Sequence, residues 1–184
     1  MDELKSAWEI AQERAGRLGK LSTEEREQQE RQRYRQVGQA LAQKWLDSSG
    51  QLDVTWELNK YGEPERDRIK KSLIDHLVQA IEFTTTQAIS GTRRIIEAIG
   101  SLEPGLQPGT SEIARLVQEY ETGQHTIRQE LESGCRETLH KLRISGTAVG
   151  AINVEASPEW QLAKQELLEA LTPRLDDLKR TLTG

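Results

Sequence analysis

Several short groupings in this chain have residue types and spacings that could carry chemistry. Glu137-Thr138-Leu139-His140 matches the Glu-x-x-His pattern, which sets two metal ligands on one face of a helix. A carboxylate-bridged di-metal bundle needs two such pairs and two further glutamates. The chain has no second pair, and its only histidines are His76, His125 and His140. The expectation is no metal and no cofactor. Cys135 lies at a position expected on an apolar helix stripe, where a thiol behaves as a small inert hydrophobe. A reactive thiolate needs a basic or helix-N-terminal setting, and Arg136 would point to another face. Gly146-Thr147-Ala148-Val149-Gly150 resembles a phosphate-binding loop only in its glycines, because a helical pattern precedes it and no lysine follows. A flexible connector is the default there. Its mild apolar content also suits an extended segment added to a partner, with Val149, Ile152 and Val154 as the contact residues.

The densest basic cluster joins Arg66, Arg68, Lys70 and Lys71 to Arg93-Arg94, with Glu63, Glu65 and Asp67 interspersed. A solvated helix face is the ordinary reading of such mixed charge. The formal net charge is −5, and nucleic-acid binding needs a concentrated basic face, so that partner class is not expected. Trp8, Trp45, Trp56 and Trp160 all fall on apolar stripes and are assigned to the core. Trp8 has a second reading. With Leu4 and Ala11 on a short terminal helix, it would anchor on a partner, since aromatics dominate interface hot spots.

The elements that would position these groups are helices. Hydrophobic residues make up 35% of the 184, charged residues 30% and aromatics 4%. β-branched runs are scarce, which counts against a sheet. The longest sustained helical face lies between Pro64 and Ile99, through Ile69, Leu73, Leu77, Ala80, Ile81, Thr84 and Ala88, then Ile95. It reads as one central helix over 64–99, with an interruption at Ser90-Gly91 as the competing form. A short amphipathic helix is expected over 3–18. Ser22 and Glu25 form a capping-box pattern that opens the next helix. From Thr23 to Arg33 there is no apolar residue, so that stretch buries no face and serves as a solvated spacer or a polar arm for a partner. Apolar spacing returns with Tyr34, Val37, Leu41 and Trp45, and Ser48-Ser49-Gly50 stops the helix.

A short helix over 51–61 would turn Leu52, Trp56 and Tyr61 inward. Gly100 to Gly109 reads as a linker, with Pro104 and Pro108, that lets the chain reverse. Thr110 or Ser111 then caps a helix to about Arg143, whose face runs from Ile113 through Tyr120, Leu131, Cys135 and Leu139 to Leu142. Gly123 and Gly134 inside it point to a close helix crossing. Ser157-Pro158 starts the last helix, over 158–182, which Pro173 would interrupt, with Thr172 re-capping it.

These elements assemble into an all-α antiparallel helical bundle of 34–47, 64–99, 111–143 and 158–182, with a helical arm at the N-terminus. Residues 1–50 supply the arm and the first bundle helix and 51–184 the bundle core, one domain overall. The N-terminal stretch lacks a signal-peptide core, and no run approaches the length of a membrane span, so a soluble cytoplasmic protein is expected. The leading functional expectation is a non-enzymatic protein–protein interaction or assembly protein that self-associates: thin amphipathic helices with low apolar content can hide their stripes by dimerising. The alternatives are a small-molecule-binding or enzymatic bundle, in which His140, Glu137 and Tyr120 would converge, and a nucleic-acid-binding protein using the 66–71 and 93–94 basics.

Overall fold

The computed structural model describes residues 22–144 and 152–184, and among them every regular element is helical. The elements are α1 (Thr23–Asp47), α2 (Val54–Leu58), α3 (Glu63–Gln79), α4 (Thr86–Leu102), α5 (Gln107–Lys141) and α6 (Pro158–Thr183). Two 3-10 turns, Pro104–Leu106 and Val154–Ala156, precede α5 and α6 respectively. The protein is an all-α bundle. None of the described helices is long and apolar enough to cross a membrane.

The Ser22–Glu25 capping box forms as expected: Glu25 N–H donates to Ser22 Oγ at 3.1 Å and Ser22 N–H to Glu25 Oε2 at 2.8 Å. Glu24 through Arg33 are all exposed, so the first turns of α1 bury no face. From Tyr34 onward α1 packs on α3, burying Ala42 and Trp45. Tyr34 faces Glu65, and Gly38 lies against Ile69, Ser72 and Leu73. Residue numbers therefore rise together on the two helices, and α1 and α3 run parallel. Residues 48–62, with α2 among them, carry the chain back to the start of α3. The turn that begins this return holds Ser49 at φ 55° and Gly50 at φ 83°, the left-handed region that glycine enters freely.

The central helix is not continuous, and the break does not fall at Ser90-Gly91, which lies within α4. α3 ends at Gln79 and α4 begins at Thr86. Three contacts make the interval 80–85 stable. Thr92 Oγ1 accepts from Glu82 N–H at 3.1 Å and donates to Glu82 C=O at 2.5 Å, satisfying both backbone groups of that residue. Thr85 caps α4, accepting from Ala88 N–H at 3.1 Å. Phe83 turns into the core, with its ring 5.2 Å from that of Tyr120. The Thr84-Thr85-Thr86 run, poor inside a helix, serves as a cap and turn.

From α3 onward the packing alternates in direction. Glu82 meets Thr92 and Lys70 Nζ lies 2.9 Å from Glu103, so α3 and α4 are antiparallel. The expected linker over 100–109 shrinks to Glu103 and a 3-10 turn, because α4 runs to Leu102 and α5 starts at Gln107, with Pro108 tolerated in its first turn. Arg93 pairs with Glu121 across α4 and α5 at 2.5 Å. α5 and α6 are antiparallel along their length, through Gly109 beside Leu182, Glu119 with Arg174 at 2.7 Å, and Gly123 beside Leu167. Lys179 Nζ then reaches Gln79 C=O at 3.3 Å, returning α6 to α3. Thus α3–α6 form an up-down-up-down four-helix bundle, and α1 lies alongside α3 as an added parallel helix. One contiguous core links all these helices, from Ala42 to Leu182.

Two single residues depart from expectation. Pro173 does not interrupt α6, which runs unbroken to Thr183; Thr172 instead donates its hydroxyl to Leu168 C=O at 2.7 Å. Trp56 is not a core residue: it is 61% exposed, with Lys60 Nζ 3.6 Å from its ring centre. The short α2 buries Val54 and Leu58 in its place.

Candidate interaction surfaces

The residues singled out for chemistry do not converge. Tyr120 is fully buried beneath the bundle, and its hydroxyl accepts from Gln124 Nε2 at 2.8 Å. Burial holds its phenol above the usual pKa, so it stays neutral. Glu137 and His140 sit exposed near the far end of α5, five turns away along the helix by the usual 3.6-residue repeat. Among the described residues, no group of three or more His, Cys, Asp or Glu is placed to hold a metal ion. The basic residues also disperse. Arg66 pairs with Glu63 and reaches Asn59, Lys70 pairs with Glu103, Arg93 pairs with Glu121, and Arg94 donates to Ser49 C=O at 2.6 Å. Arg68 and Lys71 alone turn toward α1.

Of the proposed contact residues, Leu4, Trp8, Ala11 and Val149 lie outside the described residues. Ile152 and Val154 are placed, on the outer half of α5. That half projects past the bundle. Arg93 pairs with Glu121, so α4, which starts seven residues before Arg93, ends about level with Arg128 on α5. Beyond that level α5 has beside it the first turns of α6 and the Val154–Ala156 turn. Inside this hairpin the packing is firm. Val154 and Trp160 are buried, Arg128 pairs with Glu155 and lies 5.6 Å from the Trp160 ring centre, and Ser157 caps α6 by accepting from Trp160 N–H at 3.1 Å.

The outer side of the hairpin is open. A groove of about 530 Å³ runs between α5 and the 152–159 segment, walled by Leu131, Gly134, Cys135, Leu139, Ile152 and Val154. Cys135 is exposed there, contrary to its expected burial, because the stripe it sits on outruns the helices that would cover it. Gly123 meets its expected close crossing: a Cβ would come within 2.9 Å of Leu167 Cδ2. Gly134 does not, since a Cβ there would meet nothing within 4 Å. Leu142 and Ile144 at the end of α5 are 64% and 44% exposed, and Leu162 near the start of α6 is 60% exposed. No family model matches the chain, and neither a curated protein nor a solved structure matches it.

Proposed function

We propose that the protein is a non-catalytic helical assembly protein that self-associates through the projecting end of the α5–α6 hairpin. The observation that carries this reading is the apolar stripe of α5. It is fully covered over Ile113–Tyr120 and then continues half-buried at Leu131 and Leu139 and exposed at Cys135 and Leu142. An apolar face of this kind beyond the closed core marks an interaction site. A second copy of the chain is the occupant favoured by charge. Glu130 and Glu132 precede Cys135 on α5, Glu132 lying 3.6 Å from Arg136 of the same helix, while after Cys135 the cations Arg136, Lys141 and Arg143 outnumber the single acid Glu137. Two copies related by a two-fold axis near Cys135, with their α5 ends antiparallel, set each acidic segment against the other's basic one, as a self-complementary interface requires.

Light scattering on the full chain at several concentrations tests this. A dimer is expected, together with a monomeric Leu139→Glu variant of unchanged helix content whose melting temperature, unlike that of the wild type, does not rise with protein concentration. Oxidation of the wild type is expected to link the two copies through Cys135. A monomer at every concentration would overturn self-association. A dimer that survives Leu139→Glu but is lost from a chain beginning at Tyr34 would move the assembly site to residues 1–33.

A further inference from the structure

A second groove, of about 470 Å³, lies between the parallel helices α1 and α3, with Thr183 of α6 at its edge. Its walls carry Arg31 and Arg35 from α1 and Arg68, Lys71 and His76 from α3. Asp75 is the one carboxylate among the lining residues. Four permanent cations thus face one acid in a chain whose net charge is −5. Among the described residues, no carboxylate lies within ion-pair distance of Arg35, Arg68 or Lys71, whereas Arg31 holds Glu27 at 3.2 Å. The groove is also held in shape. Ser72 donates to Arg35 C=O at 2.8 Å, Tyr34 donates to Glu65 at 2.9 Å, and the Arg68 guanidinium lies 5.8 Å from the Tyr34 ring centre. Gly38 brings the two backbones close enough that both rows of cations face one space.

We propose that this groove binds a compact polyanion, a small molecule carrying two or more phosphate groups. Guanidinium forks match phosphate oxygens in pairs, and several fixed cations favour a ligand that can meet more than one at once. The volume suits a small-molecule site. The extent of the basic surface argues against a polymer. Arg31 to Gln39 spans about 12 Å of helix. On the N-terminal side the balance turns acidic, with Glu24, Glu25, Glu27 and Glu30 against Arg26 on α1 and Glu63, Glu65 and Asp67 against Arg66 on α3. A nucleic-acid strand needs a longer cationic track and a series of stacking platforms, and this groove is lined by only two aromatic rings, Tyr34 and His76. Burial raises the Asp75 carboxyl above its usual pKa, while Lys71 and Arg35 beside it pull the other way. It is the group that an incoming phosphate would be repelled by.

Calorimetric titration of the full chain with inorganic triphosphate is the test. One ligand per chain is expected. The double variant Arg35→Gln/Lys71→Gln is expected to bind at least about tenfold more weakly, with its melting temperature unchanged in the absence of ligand. Asp75→Asn, which removes the opposing charge, is expected to bind more tightly than wild type, an outcome that a merely structural role for these residues does not produce. No heat at millimolar triphosphate, or equal affinity for wild type and the double variant, would overturn the proposal. Tighter binding of a single-stranded oligonucleotide, with affinity falling steeply in salt, would replace the compact ligand by a nucleic acid.

Discussion

Two helix contacts in this protein look alike in sequence and differ in space. Gly38 and Gly134 each lie inside a long helix, next to residues of an apolar stripe. At Gly38 the missing side chain is what lets α1 reach α3: a Cβ would stand 2.6 Å from Ile69 C=O and 2.7 Å from Ser72 Cβ. At Gly134 the helix has left the bundle behind and the glycine faces open space. An apolar stripe with a glycine in it records that a helix has a face to cover. Whether the same chain covers it depends on helix lengths, because α5 has 35 residues and α4 has 17.

The comparison can be broken by substitution. Gly38→Leu is expected to cost about 3 kcal/mol, since the obstructing atoms include backbone that cannot rotate away; urea titration measures it, and a loss below that of an ordinary surface change would show that α1 docks without the close approach. Thr92→Val comes next. It leaves Glu82 N–H and C=O without their partner, at a cost of about 1–3 kcal/mol read as a lower melting temperature. Gly134→Ala reverses the sign and is expected to add up to about 1 kcal/mol at concentrations where the chain is monomeric, through helix propensity alone. The smallest effect belongs to Asp75→Asn. The Asp75 pKa is raised in the folded state, so any stability linked to its protonation is full below the unfolded pKa and is lost as pH rises through the folded one. Asn is therefore expected to be slightly stabilising at neutral pH and to lose that advantage in acid, which thermal melts across the acid range would reveal.

Local rules sufficed for the ends of several elements. Ser22–Glu25, Ser48-Ser49-Gly50 and Ser157-Pro158 carry their own start and stop signals, and each acts there as its residues suggest. The break after Gln79 was not legible, because it is held from a distance: Thr92 lies ten residues on and Tyr120 reaches Phe83 from another helix. Trp56 follows the helical period of its segment, but α2 is only five residues long and turns that position outward. For the candidate surfaces, Ile152 and Val154 stand out in the sequence by their apolar character between two helices, but Val154 is buried within its own chain and Ile152 is half-buried beside the α5 groove. The polyanion groove was half visible, since Arg68 and Lys71 stood out while Arg31 and Arg35 sat in a segment that reads as solvated spacer. Only the parallel pairing of α1 with α3 brings them together, and nothing in the spacing of either helix specifies direction.

That groove also draws its walls from distant parts of the chain: α1, α3 and the last turn of α6, where Lys179 closes on Gln79 across 100 residues. The α6–α3 contact closes across 100 residues, whereas α1 meets α3 across only 31, from Tyr34 to Glu65. A ligand that bridges Arg35 and Lys71 would act as a clasp between α1 and α3. It would slow the undocking of α1 and raise the melting temperature in proportion to the logarithm of its concentration, well away from the exposed end of α5.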